Sequence, residues 1–241
     1  MTKPPAPGQP TLDLTVQHSI GRLALDIHFT LVHPWTILFA PSGAGKSTIL
    51  RIIAGLERPR SAIVTLSADR ITDTAAGIHI PPHQRHVGLV AQRPALFPHL
   101  SVLRNITYGM RGHARDLEPI LQLCRVTHLR ALMPSRLSGG ERQRVALART
   151  LAASNTRLLL LDEPFTGLEA DLRDELIHDL RIWTVQQAMP VLMVTHDLGE
   201  VFAADAQVLR MADGRITASG KPAEVLEHER LQLLKRLGHT S

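Results

Sequence analysis

The feature that most constrains this chain is a nine-residue segment of mostly small residues, Ala40-Pro41-Ser42-Gly43-Ala44-Gly45-Lys46-Ser47-Thr48. It lies between two stretches of different hydrophobic period. Before it, Trp35–Phe39 is a mostly apolar run of strand length; after it, Ile49, Leu50, Ile52, Ile53 and Leu56 recur at helical spacing. The arrangement reads as strand, glycine loop, helix. Gly43 and Gly45 let the backbone curl so that successive N–H groups point inward, and the helix N-terminus adds the positive end of its dipole. Lys46 then reaches the outer phosphates of a nucleotide and Ser47 holds magnesium. The first position of the strict glycine pattern is Ala40. Alanine is tolerated there if φ is negative and strained by about 1 kcal/mol if φ is positive.

The elements around this loop set the fold class. Leu12–Val16 and Leu23–Leu31 alternate apolar and polar residues and predict an antiparallel β layer. Ser61–Leu66 and Arg85–Ala91 read as further strands around a turn holding Pro81 and Pro82. From Arg93 to Arg136 the apolar residues fall at helical spacing between Pro94, Pro98, Pro119 and Pro134, which predicts an inserted helical lobe. Strand and helix then alternate: helix Gly140–Ala153, strand Arg157–Leu161, helix Glu169–Gln187, strand Val191–Val194. Val208–Met211 and Arg215–Ser219 form a hairpin about Asp213-Gly214, with Pro222–His228 and Arg230–Leu237 as closing helices. Domain organisation follows: a mobile proline-rich tail, 1–10, and one domain, 11–241, whose α/β core takes 11–92 and 137–241 and whose helical subdomain takes 93–136.

Two further segments carry chemistry. Leu158-Leu159-Leu160-Leu161-Asp162-Glu163-Pro164 is an apolar strand ending in two carboxylates, which aims Asp162 at a magnesium shell and places Glu163 to polarise an attacking water. In Leu137-Ser138-Gly139-Gly140-Glu141-Arg142-Gln143-Arg144, Ser138 and Glu141 form a capping box at a helix start. A cap explains the serine and glutamate and leaves the glycine pair unexplained. Gly139 and Gly140 beside the Ser138 hydroxyl also make an anion site that can meet a terminal phosphate.

Composition removes other classes. The chain has 241 residues, is 44% hydrophobic and 20% charged, and has no apolar run of spanning length, so a globular domain outside the membrane is expected. A single cysteine, Cys124, suits a reducing compartment. The net charge of +5 is spread along the chain, and 5 Phe, 2 Trp and 1 Tyr give few stacking platforms, so nucleic acid is not the expected partner.

The glycine loop, Leu-Ser-Gly-Gly-Glu, Leu-Asp-Glu-Pro and Val194-Thr195-His196-Asp197, in this order, closely resemble the motifs of ATP-binding cassette (ABC) ATPases. The resemblance spans Leu12–Leu237. It implies a P-loop NTPase fold: a RecA-like core of mostly parallel sheet with flanking helices, an N-terminal antiparallel β-subdomain and an inserted α-helical lobe. It implies ATP and Mg2+ as ligands, Gln92 in the magnesium shell with Ser47 and Asp162, His196 as the switch histidine on the γ-phosphate, and Glu163 as general base. It also implies a homodimer that sandwiches each ATP between one copy's residues 40–48 and the other copy's Ser138, Gly139 and Gly140. Further implied partners are integral membrane permease subunits and a substrate-binding protein, with the chain peripheral on the cytoplasmic face of the membrane.

Pro81–Gly88, Gln92, Ala95–Val102 and above all Asn105-Ile106-Thr107-Tyr108-Gly109-Met110 most resemble the cassette of molybdate importers, an oxyanion system. Such cassettes often carry a C-terminal oxyanion-sensing β-domain, which is not expected in a chain ending at Ser241. Phe97, Pro98 and Leu100 either receive a helix of the membrane subunit or pack the junction of core and lobe. Two departures stand out: Glu169 where the family usually has aspartate, and no aromatic in Leu12–Ile27 to stack on adenine, leaving Gln17 or His18 as substitutes. Rival readings are a soluble cassette ATPase acting on nucleic acid or ribosomes, and a degenerate cassette that binds ATP without turnover.

Overall fold

The structure is a computed structural model and describes residues 10–110, 116–153, 155–236 and 238. The tail over 1–9 and the end of the closing helix at Leu237 lie outside the described residues. Two sheets organise the chain. Strands β1 (Leu12–Ile20) and β2 (Leu23–Leu31) pair antiparallel in the register Leu12 to Leu31. They join β4 (Ser61–Leu66), β5 (Asp69–Asp73) and β6 (Ile78–His79) in the order β2-β1-β4-β5-β6. The second sheet runs β11-β10-β3-β9-β8-β7, from β3 (Trp35–Phe39), β7 (Val87–Val90), β8 (Leu158–Asp162), β9 (Val191–Thr195), β10 (Gln207–Ala212) and β11 (Arg215–Gly220). All its pairings are parallel except the β10–β11 hairpin. This is the P-loop NTPase fold with its antiparallel subdomain.

The central strands are buried on both faces, as parallel strands covered by helices must be, and their side chains sort by period two. Ile37, Leu159, Leu161, Val191 and Met193 face one core with Val102, Ile106, Ile120 and Val145 from the helices. Leu38, Leu158, Leu160, Leu192 and Val194 face the other, with Ile49, Ile53 and the inner residues of the antiparallel sheet. Helix α1 (Lys46–Ala54) is thus clamped between two sheets. On the far face lie α2 (Val102–Thr107), α3 (Leu117–Leu123), α4 (Gly139–Ala152) and α5 (Ala170–Gln186). Among its described residues the segment 93–136 is helical in its regular parts, and α4 packs on it to share an apolar core.

Several details differ from the sequence reading. Helix α1 stops at Ala54, because Gly55 takes φ 79° and its N–H bonds back to the carbonyls of Arg51 and Ile52. Leu56 consequently lies past the helix and is 52% exposed. The strand expected over 85–91 shortens to Val87–Val90, and Arg85 turns inward, only 1% exposed. Its five N–H donors all find acceptors, on Ile80, Ile52 and Ile53 carbonyls, Thr72 Oγ1 and His79 Nδ1. A guanidinium at the C-terminal carbonyls of α1 complements the helix dipole there. The β5–β6 hairpin is too short and polar to show a period, and α6 (Leu198–Ala204) is also absent from the sequence reading. The chain closes with α7 (Pro222–Val225) and α8 (Glu227–Arg236).

Candidate active site

Because β3, β7, β8 and β9 are parallel neighbours, the residues that follow them share one edge of the sheet, the place where open α/β sheets put their ligands. The loop 40–45 follows β3, Gln92 lies two residues past β7, Glu163 follows Asp162 at the end of β8, and His196 follows β9. Gly43 and Gly45 adopt φ 80° and 92°, and Gly45 is the N-cap of α1. Ala40 is absent from the residues with positive φ, so its replacement of glycine strains nothing.

Lys46 is 4% exposed and folds back over the loop, donating to the carbonyls of Ala40 at 2.7 Å and Pro41 at 3.0 Å. Burial pushes its pKa down, opposed by the charges of Glu163 and Asp162. Ser47 Oγ donates to Asp162 Oδ1 at 3.0 Å. Asp162 is itself buried, and desolvation raises its pKa against the Ser47 hydrogen bond. A buried carboxylate with a hydroxyl beside it and the Gln92 amide nearby is a hard oxygen donor set of the kind magnesium takes.

Glu163 is the hub. Its carboxylate accepts from Gln92 Nε2 at 2.8 Å, contacts His196 Nδ1 at 2.9 Å and lies 3.7 Å from Lys46 Nζ. Its backbone has φ 46°, left-handed for a non-glycine residue, and its N–H is anchored on Val194 O at 3.0 Å. A glutamate held in that conformation at a site is a strain the surroundings must hold, of order 1–3 kcal/mol. Sequence reading thus placed Lys46, Gln92, Asp162, Glu163 and His196, and the fold brings all five together.

Ser138, Gly139 and Gly140 stand elsewhere. Ser138 Oγ accepts from Glu141 N at 3.2 Å and Glu141 Oε2 accepts from Ser138 N at 2.7 Å, the expected capping box at the start of α4. Among the described residues, no hydrogen bond joins them to Lys46 or Glu163. Gly140 packs against Leu168, whose Cδ2 would lie 2.6 Å from a Cβ there. Gln143, one turn on, donates to Ala91 O at 3.1 Å and so ties α4 to the residue before Gln92.

The chain matches the family model described as ABC transporter over residues 26–166. This chain belongs to the ABC transporter family. The cassette is 38% identical over 221 residues to the molybdenum import ATP-binding protein of Rhizobium etli, covering 90% of this chain and 62% of the relative. It is 41% identical to that of Albidiferax ferrireducens, covering 93% and 63%. The chain therefore spans less than two thirds of the length of these two relatives. The molybdate/tungstate import ATP-binding protein of Archaeoglobus fulgidus is 39% identical, with 89% of this chain and 88% of the relative covered. The fold matches the cbiO1 structure from Clostridium perfringens, TM-score 0.76 at 24% identity over 96% of this chain and 98% of that one. It also matches a bacterial Atm1-family exporter with ATP bound, TM-score 0.79 at 22% identity over 99% and 44%. At those identities the two structures speak to fold alone.

Other site features escaped sequence reading. Ile20, Leu23 and Leu25 crowd Gly45, with side-chain carbons 3.4, 3.2 and 2.9 Å from where a Cβ would stand. An aliphatic wall therefore flanks the loop. His18 and Gln17 are occupied, His18 Nδ1 with Arg60 N at 3.3 Å and Gln17 Nε2 with Asp26 at 3.4 Å. Behind His196 lies Glu200, 3% exposed, with Oε2 lacking a hydrogen-bond partner. Its spacing from Asp197 is the helix-cap pattern, the one signal the sequence offered.

Proposed function

We propose that the chain is the ATP-binding and ATP-hydrolysing subunit of a membrane importer whose cargo is an oxyanion of the molybdate or tungstate kind. The observation that carries the hydrolytic half is the meeting of Gln92, His196 and Lys46 on the single carboxylate of Glu163, beside the Ser47–Asp162 pair. The printed names of the relatives support the cargo.

In this reading the inward N–H groups of 42–48 and the Lys46 ammonium bind the phosphates of ATP. Magnesium bound with the nucleotide, held by Ser47 and Asp162 with Gln92 at its edge, supplies neutralisation of phosphate charge. Lys46 exchanges its loop carbonyls for phosphate oxygens, which offsets its desolvation. Glu163 orients a water and accepts its proton, and His196 bridges that carboxylate to the γ-phosphate. The signature residues Ser138–Gly140, exposed or half-exposed on α4, complete the site of a second copy.

Coupling to the permease belongs to the helical segment. Phe97 packs against Tyr108 as a tilted pair with ring centroids 4.3 Å apart, and Arg149 lies 5.7 Å above the Phe97 ring. Asn105, fully buried, holds the turn by accepting from Phe97 N and donating to the carbonyls of Phe97, Leu100 and Ser101. Tyr108 is 65% exposed, leaving an aromatic platform for a permease helix.

Phosphate release by the wild type and by Glu163→Gln tests the chemistry. Turnover is expected to fall at least about 100-fold with ATP binding retained and dimer accumulating. Undiminished turnover would remove Glu163 from that role. Purification from the native membrane tests transport: a permease that co-purifies, stimulates hydrolysis and moves molybdate or tungstate into vesicles is the expected result. A partnerless chain with salt-dependent affinity for nucleic acid would overturn it.

A further inference from the structure

His196 is fastened from behind by a clasp that the mechanism above does not use. On α5, the Arg173 guanidinium lies across the first turn of α6, with its side chain only 17% exposed. Nη1 stands 3.7 Å from Asp197 Oδ1, and the same oxygen accepts the Glu200 N–H at 3.1 Å and so caps α6. A Cβ on Gly199 would meet Nη2 at 2.7 Å, Nη1 at 2.9 Å and Asp197 Oδ1 at 2.9 Å. Gly199 does not have positive φ, so the backbone itself does not require glycine there; a methyl would instead push the guanidinium aside. Asp197 N in turn donates to Thr195 Oγ1 at 3.0 Å, so the residues on both sides of His196 are tied. On its own helix the guanidinium is steadied by Asp174, whose Oδ1 accepts from Arg173 Nε at 2.8 Å, so its Nη groups are left to face α6.

We propose that Arg173 is a positioning residue: through Asp197, and over the bare backbone of Gly199, it fixes where His196 stands against Glu163. The inference rests on reading Glu163 and His196 as the hydrolytic pair. Asp197 is half-exposed, and a 3.7 Å ion pair in that setting adds little to stability. Its effect falls on geometry, to which transition-state contacts are far more sensitive than the fold is.

The test uses Arg173→Ala, Arg173→Lys, Gly199→Ala and the double variant Arg173→Ala/Gly199→Ala. Alanine is the better helix former, which offsets the crowding of its methyl against the Asp197 Oδ1 cap, so Gly199→Ala is expected to keep a thermal midpoint near that of wild type while displacing the guanidinium. Each alanine variant is expected to lower kcat about threefold to thirtyfold with KM for ATP unchanged. The double variant is expected to lose no more than the worse single one. Arg173→Lys recovers part of the rate, since it keeps the charge and loses the planar fork. Hydrogen exchange on the nucleotide-free chain is the readout independent of hydrolysis: amides of 196–201 should exchange faster in both single alanine variants. Unchanged exchange there, unchanged kcat, or additive losses would each overturn the clasp. A wild type that neither binds nor hydrolyses ATP would instead sink the proposed function, and the exchange arm would still decide whether Arg173 holds the His196 segment.

Discussion

At the scale of single residues, burial decides which groups matter. Glu200 is held in a site that raises its pKa to about 7, by desolvation first, against a Thr195 hydrogen bond, with Asp197 and Glu163 adding to the rise and Arg173 opposing it. A carboxyl whose folded pKa is raised contributes most below its unfolded value, and that stability is lost as pH rises from about 4.5 through about 7. Glu200→Gln is therefore expected to remove this part of the pH dependence and to be more stable than wild type at pH 8 by about 1–3 kcal/mol. Urea unfolding at pH 5 and pH 8 checks it, and equal pH slopes in the two proteins would count against the assignment. The aliphatic wall of Ile20, Leu23 and Leu25 makes a second prediction at this scale. If this wall is what the base of the proposed nucleotide meets, kcat/KM for ATP and GTP should lie within about tenfold of each other. A preference of a thousandfold would require a polar base contact not identified among these residues.

Elements contribute through their ends. The α4 cap satisfies two backbone donors reciprocally, and backbone and side-chain hydrogen bonds with Ser138 hold the Glu141 carboxyl below the usual range. Ser138→Ala is expected to cost about 1 kcal/mol of stability, read by thermal or urea unfolding. If Ser138 also serves the phosphate of a second copy, the same variant loses ATP-induced dimerisation by more than that cost explains. The 97–101 turn depends on Asn105 in a different way, since four hydrogen bonds converge on one side chain with no exposure. Asn105→Ala leaves buried backbone groups unpaired and should destabilise the helical segment by about 2 kcal/mol. Tyr108→Ala, on an exposed residue whose ring packs on Phe97, should cost no more than about 1 kcal/mol and weaken permease stimulation of hydrolysis.

For the whole molecule, the parallel order β3-β9-β8-β7 is what brings the glycine loop, Gln92, Asp162-Glu163 and His196 to one edge of the sheet. Leu160, fully buried in the core shared with α1, supports that edge from beneath. Leu160→Ala is expected to cost about 3 kcal/mol in unfolding free energy, with the site geometry carried along by the strand. Much of this was legible along the chain. Strand, glycine loop and helix follow from local period and from two glycines whose left-handed φ no other residue adopts as readily. The capping box and the Asp213-Gly214 hairpin are likewise local hydrogen-bond patterns that a few adjacent residues define. The Arg85 anchor, the Arg173 clasp over Gly199, the Gln143 link to Ala91 and the strained φ of Glu163 were not legible, because each depends on residues distant in sequence meeting across elements. The sequence by itself determined which candidate groups the chain carries at the ends of its strands and helices, since those groups sit at fixed offsets from strand and helix ends. Only the tertiary structure decided how they face one another, because the distances among Lys46, Gln92, Glu163 and His196 are set by strand order and packing between segments up to 150 residues apart.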